Sequence, residues 1–345
     1  MNLIVTKWII DEINNLDIIS EILKENNVIE TEVEWEDDPL KSQFISMDDN
    51  GLGEVNRICI SDETYEYIIF KGRVETALNK KKWHDENNQL RDREDRVKIY
   101  EATFIIYKLN NKLNMITIGA ITNVRKVINK MFKEKWPNIL AHEYDIREDV
   151  FYWVLSRLRD ENNHTLHPNS EMKVTGLLSY LGKTQDGNNA LRASGRRVLS
   201  IMGTLAYIFS GDTLKAIRPE FQYKGEMFLI ELTLNNSFKI CCDGCLGKYN
   251  TYQGQEKVIA LSIYIMEKII PKVFSDYICS LNDNLWSQTH REKFIELVGQ
   301  ELQDIINKRM KALRNNESSI IDETQNRNNI ISEIDDDLLE GDIVV

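Results

Sequence analysis

The sequence has few of the residues that cross-link a chain or anchor it in a membrane. Its 345 residues include five cysteines, and its apolar runs are all shorter than the about 20 residues that a membrane helix needs. An odd and small number of cysteines argues against a disulfide framework and favours a reducing compartment. No basic stretch precedes the first apolar residues, which argues against a signal peptide. We therefore expect a cytoplasmic protein without a membrane segment.

Sequence motifs of the common enzyme classes are missing as well. Gly-x-Ser-x-Gly, His-Glu-x-x-His and Gly-x-Gly-x-x-Gly do not occur, so a serine hydrolase, a zinc protease and a dinucleotide-binding enzyme have no support. The chain has five histidines, and none stands in a recognised catalytic setting. We predict no cofactor, and the sequence leaves open whether the protein is an enzyme.

What the sequence does contain is typical of a folded globular protein. Hydrophobic residues make up 42% and charged residues 28%, enough apolar material to build a core. Proline is scarce, with five residues, whereas asparagine, isoleucine and lysine are frequent. This bias is typical of an AT-rich genome and points to a bacterial or phage origin.

Acidic side chains are concentrated at both ends of the chain. Residues 1–70 carry 17 acidic and 4 basic side chains, residues 71–315 carry 29 and 38, and residues 316–345 carry 9 and 1. The net charge of −12 therefore hides a mildly basic middle zone. This asymmetry indicates a polyanion partner or acidic arms that shield a basic surface. An ordinary fluctuation of charge along a soluble chain is the alternative.

Runs of β-branched and aromatic residues predict strands that are grouped as hairpins. Residues 55–74 are predicted to form two strands, and residues 103–120 a hairpin that turns at Asn110-Asn111-Lys112. Residues 214–242 are predicted to form a meander with turns at Lys224-Gly225 and Asn235-Asn236-Ser237.

Apolar residues at helical spacing predict amphipathic helices that cover these sheets. The predicted helices are residues 7–26, 124–132, 149–159, a stretch from about 196 to 210, residues 256–278 and residues 291–313. Pro271 is expected to kink or break the helix over 256–278. We predict an α+β fold with antiparallel sheets in two domains, 1–140 and 145–314, followed by a disordered acidic tail over 315–345.

Basic side chains recur on or beside two of the predicted helices. Exposed cations at such positions are what phosphate contacts need, although the polar face of any soluble helix has the same composition. A separate basic run over residues 80–96 is interrupted by acids that weaken it. The predicted phosphate contacts are Arg125, Lys126, Lys130, Lys133, Arg196 and Arg197.

One pair of cysteines and one pair of histidines have spacings that metal ligands use. Cys242 and Cys245 form a Cys-x-x-Cys pair, and His164 and His167 could complete a four-ligand zinc site. The histidines come some seventy residues before the cysteines, opposite to the usual order. Packed free cysteines and solvated histidines are the alternative that we favour.

Carboxylates offer a second route to metal chemistry. A metal-dependent nuclease needs clustered acids with a nearby lysine, and Glu171-Met172-Lys173 is the one Glu-x-Lys in the chain. The predicted meander adds Asp212, Glu220 and Glu231. Glu231 lies within an apolar strand, where alternation also allows it simply to face solvent.

Three functional hypotheses follow from these patterns. The leading hypothesis is a non-catalytic, cytoplasmic nucleic-acid-binding component of a bacterial or mobile-element system, such as anti-phage defence. Its basic middle zone would contact DNA or RNA, and its acidic ends a protein partner. The alternatives are a metal-dependent nuclease and a purely protein–protein subunit, and a homo-oligomer is compatible with each.

Overall fold

A computed structural model describes residues 1–25, 27–35, 38–132, 136–142, 144, 146–160, 164–184, 190–195, 198–200 and 202–314. The chain divides into two compact units. Unit 1 comprises Met1–Val198 and Asp212–Arg291, and unit 2 comprises Leu199–Gly211 and Glu292–Val345. The tail predicted over 315–345 lies outside the described residues. The predicted domains 1–140 and 145–314 stay a prediction.

Unit 1 is built on one antiparallel sheet. In chain order, its strands in the described part are β1 Asn2–Ile10, β2 Val28–Thr31, β3 Leu40–Ser46, β4 Asn56–Ile60, β5 Glu63–Ala77, β6 Val97–Leu109, β7 Lys112–Ile118, β8 Ile139–Ala141, β9 Lys173–Lys183, β10 Ala190–Ser194, β11 Thr213–Tyr223, β12 Glu226–Thr233 and β13 Phe238–Cys241. The spatial order is β10-β9-β11-β12-β13-β1-β7-β6-β5-β3-β2, with β4 on β5 and β8 on β1.

The helices complete an α+β fold, as predicted. They are α1 Leu16–Glu25, α2 Arg93–Arg96, α3 Ile121–Met131, α4 Glu148–Arg159, α5 Met202–Ser210, α6 Gly254–Tyr264, α7 Ile270–Asn282 and α8 Gln288–Arg314. Helix α5 and residues 292–314 of α8 belong to unit 2. In the described part, no helix is long and apolar enough to cross a membrane.

The predicted hairpins and meander are confirmed by the strand pairing. Strand β5 pairs with β4, β6 with β7, and β12 with both β11 and β13. Asn110 and Asn111 turn the β6–β7 hairpin with φ of 50° and 58°, and Lys224-Gly225 turns the meander with φ of 50° and 80°. Asparagine and glycine tolerate this left-handed backbone, which matches the twist of a two-residue hairpin.

The prediction of a helix over residues 7–26 is wrong in its first part. Residues through Ile10 belong to strand β1, and the helix begins only at Leu16. Strand β1 pairs with β13 on one side and β7 on the other, and Val5 is fully buried. Residues 7–10 of β1 are largely buried on both faces, and local spacing alone does not separate such a short, mostly apolar segment from a helix.

The interruption expected at Pro271 takes the form of a π-helical turn. Helix α6 ends at Tyr264, Ile265–Ile269 form the π turn, and α7 begins at Ile270. Pro271 therefore stands in the first turn of α7, where a missing backbone N–H is tolerated. The wider π turn just before it accommodates the proline, so the chain continues as a helix from α6 into α7.

The helices of unit 1 cover opposite faces of the sheet in its two halves. Helices α1 and α3 contribute to one buried cluster with β1, β3 and β5 to β7. In the other half, Phe228 of β12 lies 5.7 Å from Tyr264 of α6, ring centre to ring centre. The ring of Tyr144 contacts both Phe238 of β13 and a phenylalanine of α7. The alternate residues of β12 and β13 therefore point away from α6 and α7.

Candidate nucleic-acid interface

Helix α3 presents two of the predicted phosphate contacts to solvent. Arg125 and Lys126 are exposed, whereas Lys130 is half-buried and donates a 2.8 Å hydrogen bond from Nζ to Thr31 Oγ1. The side chains that pack towards the sheet are Val124, Val127 and Met131. Only part of the predicted set is thus available to a ligand. Lys133, Arg196 and Arg197 lie outside the described residues.

Three cations of the basic run over residues 80–96 form internal ion pairs. Lys80 pairs with Glu34, and Arg93 with Asp38. Arg96, which is 7% exposed, holds Asp38 at 3.3 Å. Two acidic residues from the first part of the chain therefore neutralise part of this run, whereas Lys81, Lys82 and Arg91 are exposed.

A row of charged side chains crosses the strands on the face that points away from α6 and α7. Lys239 of β13 stands directly opposite Glu231 of β12 and, on its other side, opposite Ile4 of β1. Arg218 of β11 donates from Nε to Glu231 Oε2 at 3.1 Å. Directly opposed residues in an antiparallel pair share one face, so these side chains form a continuous row.

Arg192 extends this row towards the sheet edge. It stands opposite Leu181 of β9, which in turn stands opposite Ala216 of β11. Arg192 and Lys239 line one depression of about 110 Å³ together with Ser179, Tyr180, Leu181, Ala216, Ile217 and Glu231. We call the four side chains Arg192, Arg218, Glu231 and Lys239 the polar face.

The polar face carries an excess of positive charge. It holds three cations and one carboxylate, and that carboxylate is already bonded to Arg218. Within the described part of the chain, neither Arg192 nor Lys239 forms an ion pair. Cations that are held on a sheet without an internal counterion are available to an external anion.

The start of helix α3 borders the polar face. The backbone N–H of Gly119 donates a 2.9 Å hydrogen bond to the carbonyl of Ile4, the residue opposite Lys239. Arg125 and Lys126 follow four and five residues after the first residue of α3, Ile121, or about 6–8 Å along the helix axis.

Sequence reasoning missed Arg218 and did not assign Arg192 or Lys239 as phosphate contacts. Arg218 and Lys239 are isolated cations within strands, so no local cluster marks them, and Arg192 stands in sequence near Arg196 and Arg197. Only the strand register, which places Lys239 beside Glu231 and Arg192 beside Leu181, collects them on one face. The available signal was alternation, since Lys239 stands between two buried apolar residues of β13.

The carboxylates of the nuclease hypothesis are not collected into one centre. Glu171 is exposed and precedes β9, whose first residue is Lys173. Glu220 accepts a 2.6 Å hydrogen bond from a threonine of β9, Asp212 precedes β11, and Glu231 is bonded to an arginine. In the ranges that the structure describes, no three His, Cys, Asp or Glu side chains are placed to hold a metal ion.

The cysteine and histidine pairs likewise do not form one ligand set within the described residues. Cys242 and Cys245 are both buried after β13, and burial raises the pKa of the Cys245 thiol to about 12. His167 Nε2 lies 3.0 Å from Asp283 Oδ2, while its Nδ1 accepts a backbone N–H. The thiols are thus held protonated, and the His167 ring is oriented by protein partners.

An open cleft of about 630 Å³ lies on the other half of unit 1. Its walls include Asp17 of α1, Arg57 of β4, Glu66 of β5 and Lys108 of β6. Arg57 donates from both Nε and Nη2 to Glu66 Oε1, at 3.1 and 2.8 Å. Two cations face two carboxylates, so this cleft has no excess charge for a polyanion.

Comparison with known proteins does not identify a family. No protein-family model matches the chain, and no curated protein matches its sequence.

Proposed function

We propose that the protein is a non-catalytic nucleic-acid-binding component that contacts phosphates through the polar face and the start of α3. The observation that supports this proposal most directly is the pairing register. It sets Arg192 and Lys239 along one depression without an ion-pair partner among the described residues. Release of counterions from neutralised phosphates supplies the binding free energy at such a surface.

The chemistry of this surface favours backbone contact over base recognition. Its side chains are cations and one carboxylate, and the exposed apolar neighbours Ile4 and Leu181 are aliphatic. Aliphatic side chains do not provide the stacking platforms by which proteins bind unpaired bases. We therefore expect binding with little sequence preference and a steep dependence on salt.

The remaining parts of the hypothesis rest on composition. A protein partner for the acidic ends, a place in a bacterial or mobile-element system and a role in anti-phage defence stay predictions. They are compatible with a binding component that has no active site of its own.

The test is fluorescence anisotropy of the full chain with labelled duplex DNA, single-stranded DNA and RNA over a salt series. We expect R192A/K239A to weaken binding. The slope of log affinity against log salt should become shallower by about 0.9 for each duplex phosphate that the variant no longer neutralises. R125A/K126A should have the same kind of effect, because both side chains are exposed on α3.

The matched control is K24A/K41A, which removes the same charge from two exposed lysines on the other half of unit 1. Equal weakening by the control and by R192A/K239A would show that only overall charge matters and would refute the assigned surface. Cleavage of the nucleic acid with Mg²⁺ or Mn²⁺, abolished by E231Q, would replace the proposal by the nuclease alternative. No binding by the full chain at low salt would leave the protein–protein subunit.

A further inference from the structure

Helix α8 ends in an apolar stripe that remains exposed. Leu302, Ile305, Ile306, Met310 and Leu313 recur at helical spacing and define this stripe. Ile306, Met310 and Leu313 are 44%, 45% and 60% exposed. Three large apolar side chains on one helical face are costly in water and are typical of a surface that a partner covers.

The earlier part of α8 has apolar side chains that are buried. Phe294 and Val298 are 6% and 0% exposed. Within unit 2, Phe209 of α5 packs so closely over Gly299 that an added Cβ would lie 2.4 Å from the ring. Leu302 and Ile306 follow Val298 at i+4 and i+8, so the exposed stripe continues this face beyond the end of the packing.

Cations flank the part of the stripe that lies beyond Asp304. Lys308, Arg309 and Lys311 are exposed, and no acidic residue follows Asp304 in α8. None of the three cations forms an ion pair with another residue in the described part of the chain. A partner that covers this surface should therefore combine apolar side chains with negative charge.

The chain itself contains such a segment a short distance further on. Residues 330–340 carry five acidic side chains and no basic one. Ile330, Ile334 and Leu338 follow at i, i+4 and i+8, the spacing that places apolar side chains on one face of a helix. Residues 330–340 thus combine apolar side chains with acids, which complements the apolar side chains and cations at the end of α8.

The connection is long enough for this segment to return. Fifteen residues, 315–329, separate it from α8. They reach up to about 50 Å when extended, while the stripe spans about 17 Å of helix. A short tether also gives an effective concentration in the millimolar range, which favours the chain's own segment over a separate molecule. A second copy aligned in parallel would instead bring like-charged lysines and arginines together.

We propose that residues 330–340 bind back on the apolar stripe of α8, with their carboxylates paired to Lys308, Arg309 and Lys311. The interaction is independent of nucleic-acid binding. It buries the exposed side chains of α8 and neutralises its basic end within the same molecule.

The test is hydrogen exchange of the full chain, read by mass spectrometry on peptides covering 302–313. D335K/D336K/D337K should speed exchange of these amides at least about tenfold, because the docked state is lost. Adding K308E/R309E/K311E to that variant should restore the slow exchange, because the charges are then swapped and not removed. The matched control, D322K/E323K, reverses two acids in the connection and should leave exchange unchanged.

Two results would overturn the proposal. One is exchange in 302–313 that is the same in the wild type and in the Asp335 to Asp337 variant. The other is a dimer by light scattering, with exchange in 302–313 that speeds up on dilution and with L313E. That outcome would assign the stripe to a second copy.

Discussion

Replacing Lys7 by methionine should lower the free energy of unfolding by about 3–5 kcal/mol, the usual cost of leaving one member of a buried ion pair alone. Lys7 Nζ lies 2.7 and 2.9 Å from the two carboxylate oxygens of Glu267, and the two side chains are only 10% and 6% exposed. Tyr107 also donates its hydroxyl to Glu267. These contacts join β1 and β6 to the π turn that precedes α7.

The magnitude follows from what remains in the variant. Without Lys7 the carboxylate keeps one neutral donor, Tyr107, in a site with little water. Burial and this neighbouring charge raise the pKa of Tyr107 well above its usual value, so the tyrosine stays a donor and does not compete as an anion. K7M/E267M removes both charges and should recover most of the loss, since apolar replacement of a whole buried pair is often close to neutral.

The assay is urea unfolding at 25 °C, followed by tryptophan fluorescence and by circular dichroism. The control is K24M, which breaks an exposed pair with Glu54 and should cost less than about 1 kcal/mol. A loss below about 1 kcal/mol for K7M would refute the reasoning. A loss of unfolding free energy in K7M/E267M equal to the sum of the losses in K7M and E267M would also refute it, because the effects of two coupled charges are not additive.

Three further predictions use other parts of unit 1. Burial and the nearby Lys7 ammonium lower the pKa of His142, so the folded protein favours the neutral ring. Stability should therefore fall as the pH drops below the unfolded value of about 6.5, and unfolding midpoints at pH 7 and 5 should differ less in H142Q than in the wild type. Gly72→Ala places a Cβ 2.5 Å from a methyl of α3, so it should cost about 1–3 kcal/mol in the same urea assay, and an unchanged midpoint would contradict the packing. A thiol reagent at pH 8 should label exposed Cys59 first, as loss of the fast phase in C59S would show, and should reach buried Cys245 only on unfolding.

Local sequence determined the elements whose signals are short in range. The turns at Asn110-Asn111 and Lys224-Gly225 need left-handed backbone, which asparagine and glycine adopt readily, so the hairpin and meander were predictable. Helix α3 was predictable because one face packs on the sheet and shows the apolar spacing. Helix α4 has apolar residues at helical spacing too, although residues 150–155 are all buried. The end of strand β1 was not predictable, because residues 7–10 are largely buried on both faces and show no solvent-facing period.

The residues of the candidate site likewise differ in whether the sequence alone could predict their role. Arg125 and Lys126 could be found from sequence, because a cationic helix face opposite an apolar one is a local pattern. The pairing of the basic run with acids some fifty residues earlier could not, since nothing local links Lys80 to Glu34.

By itself the sequence determined an α+β class, the hairpin turns, most helices and the acidic ends that frame a basic middle. Tertiary structure alone decided which charges remain without a counterion. It pairs the basic run with early acids, removes Lys7 and Glu267 from water, and aligns Arg192 with Lys239 across the sheet. The physical reason is that electrostatic pairing and burial depend on distances between strands, and strand register is set by the whole sheet and not by any one segment.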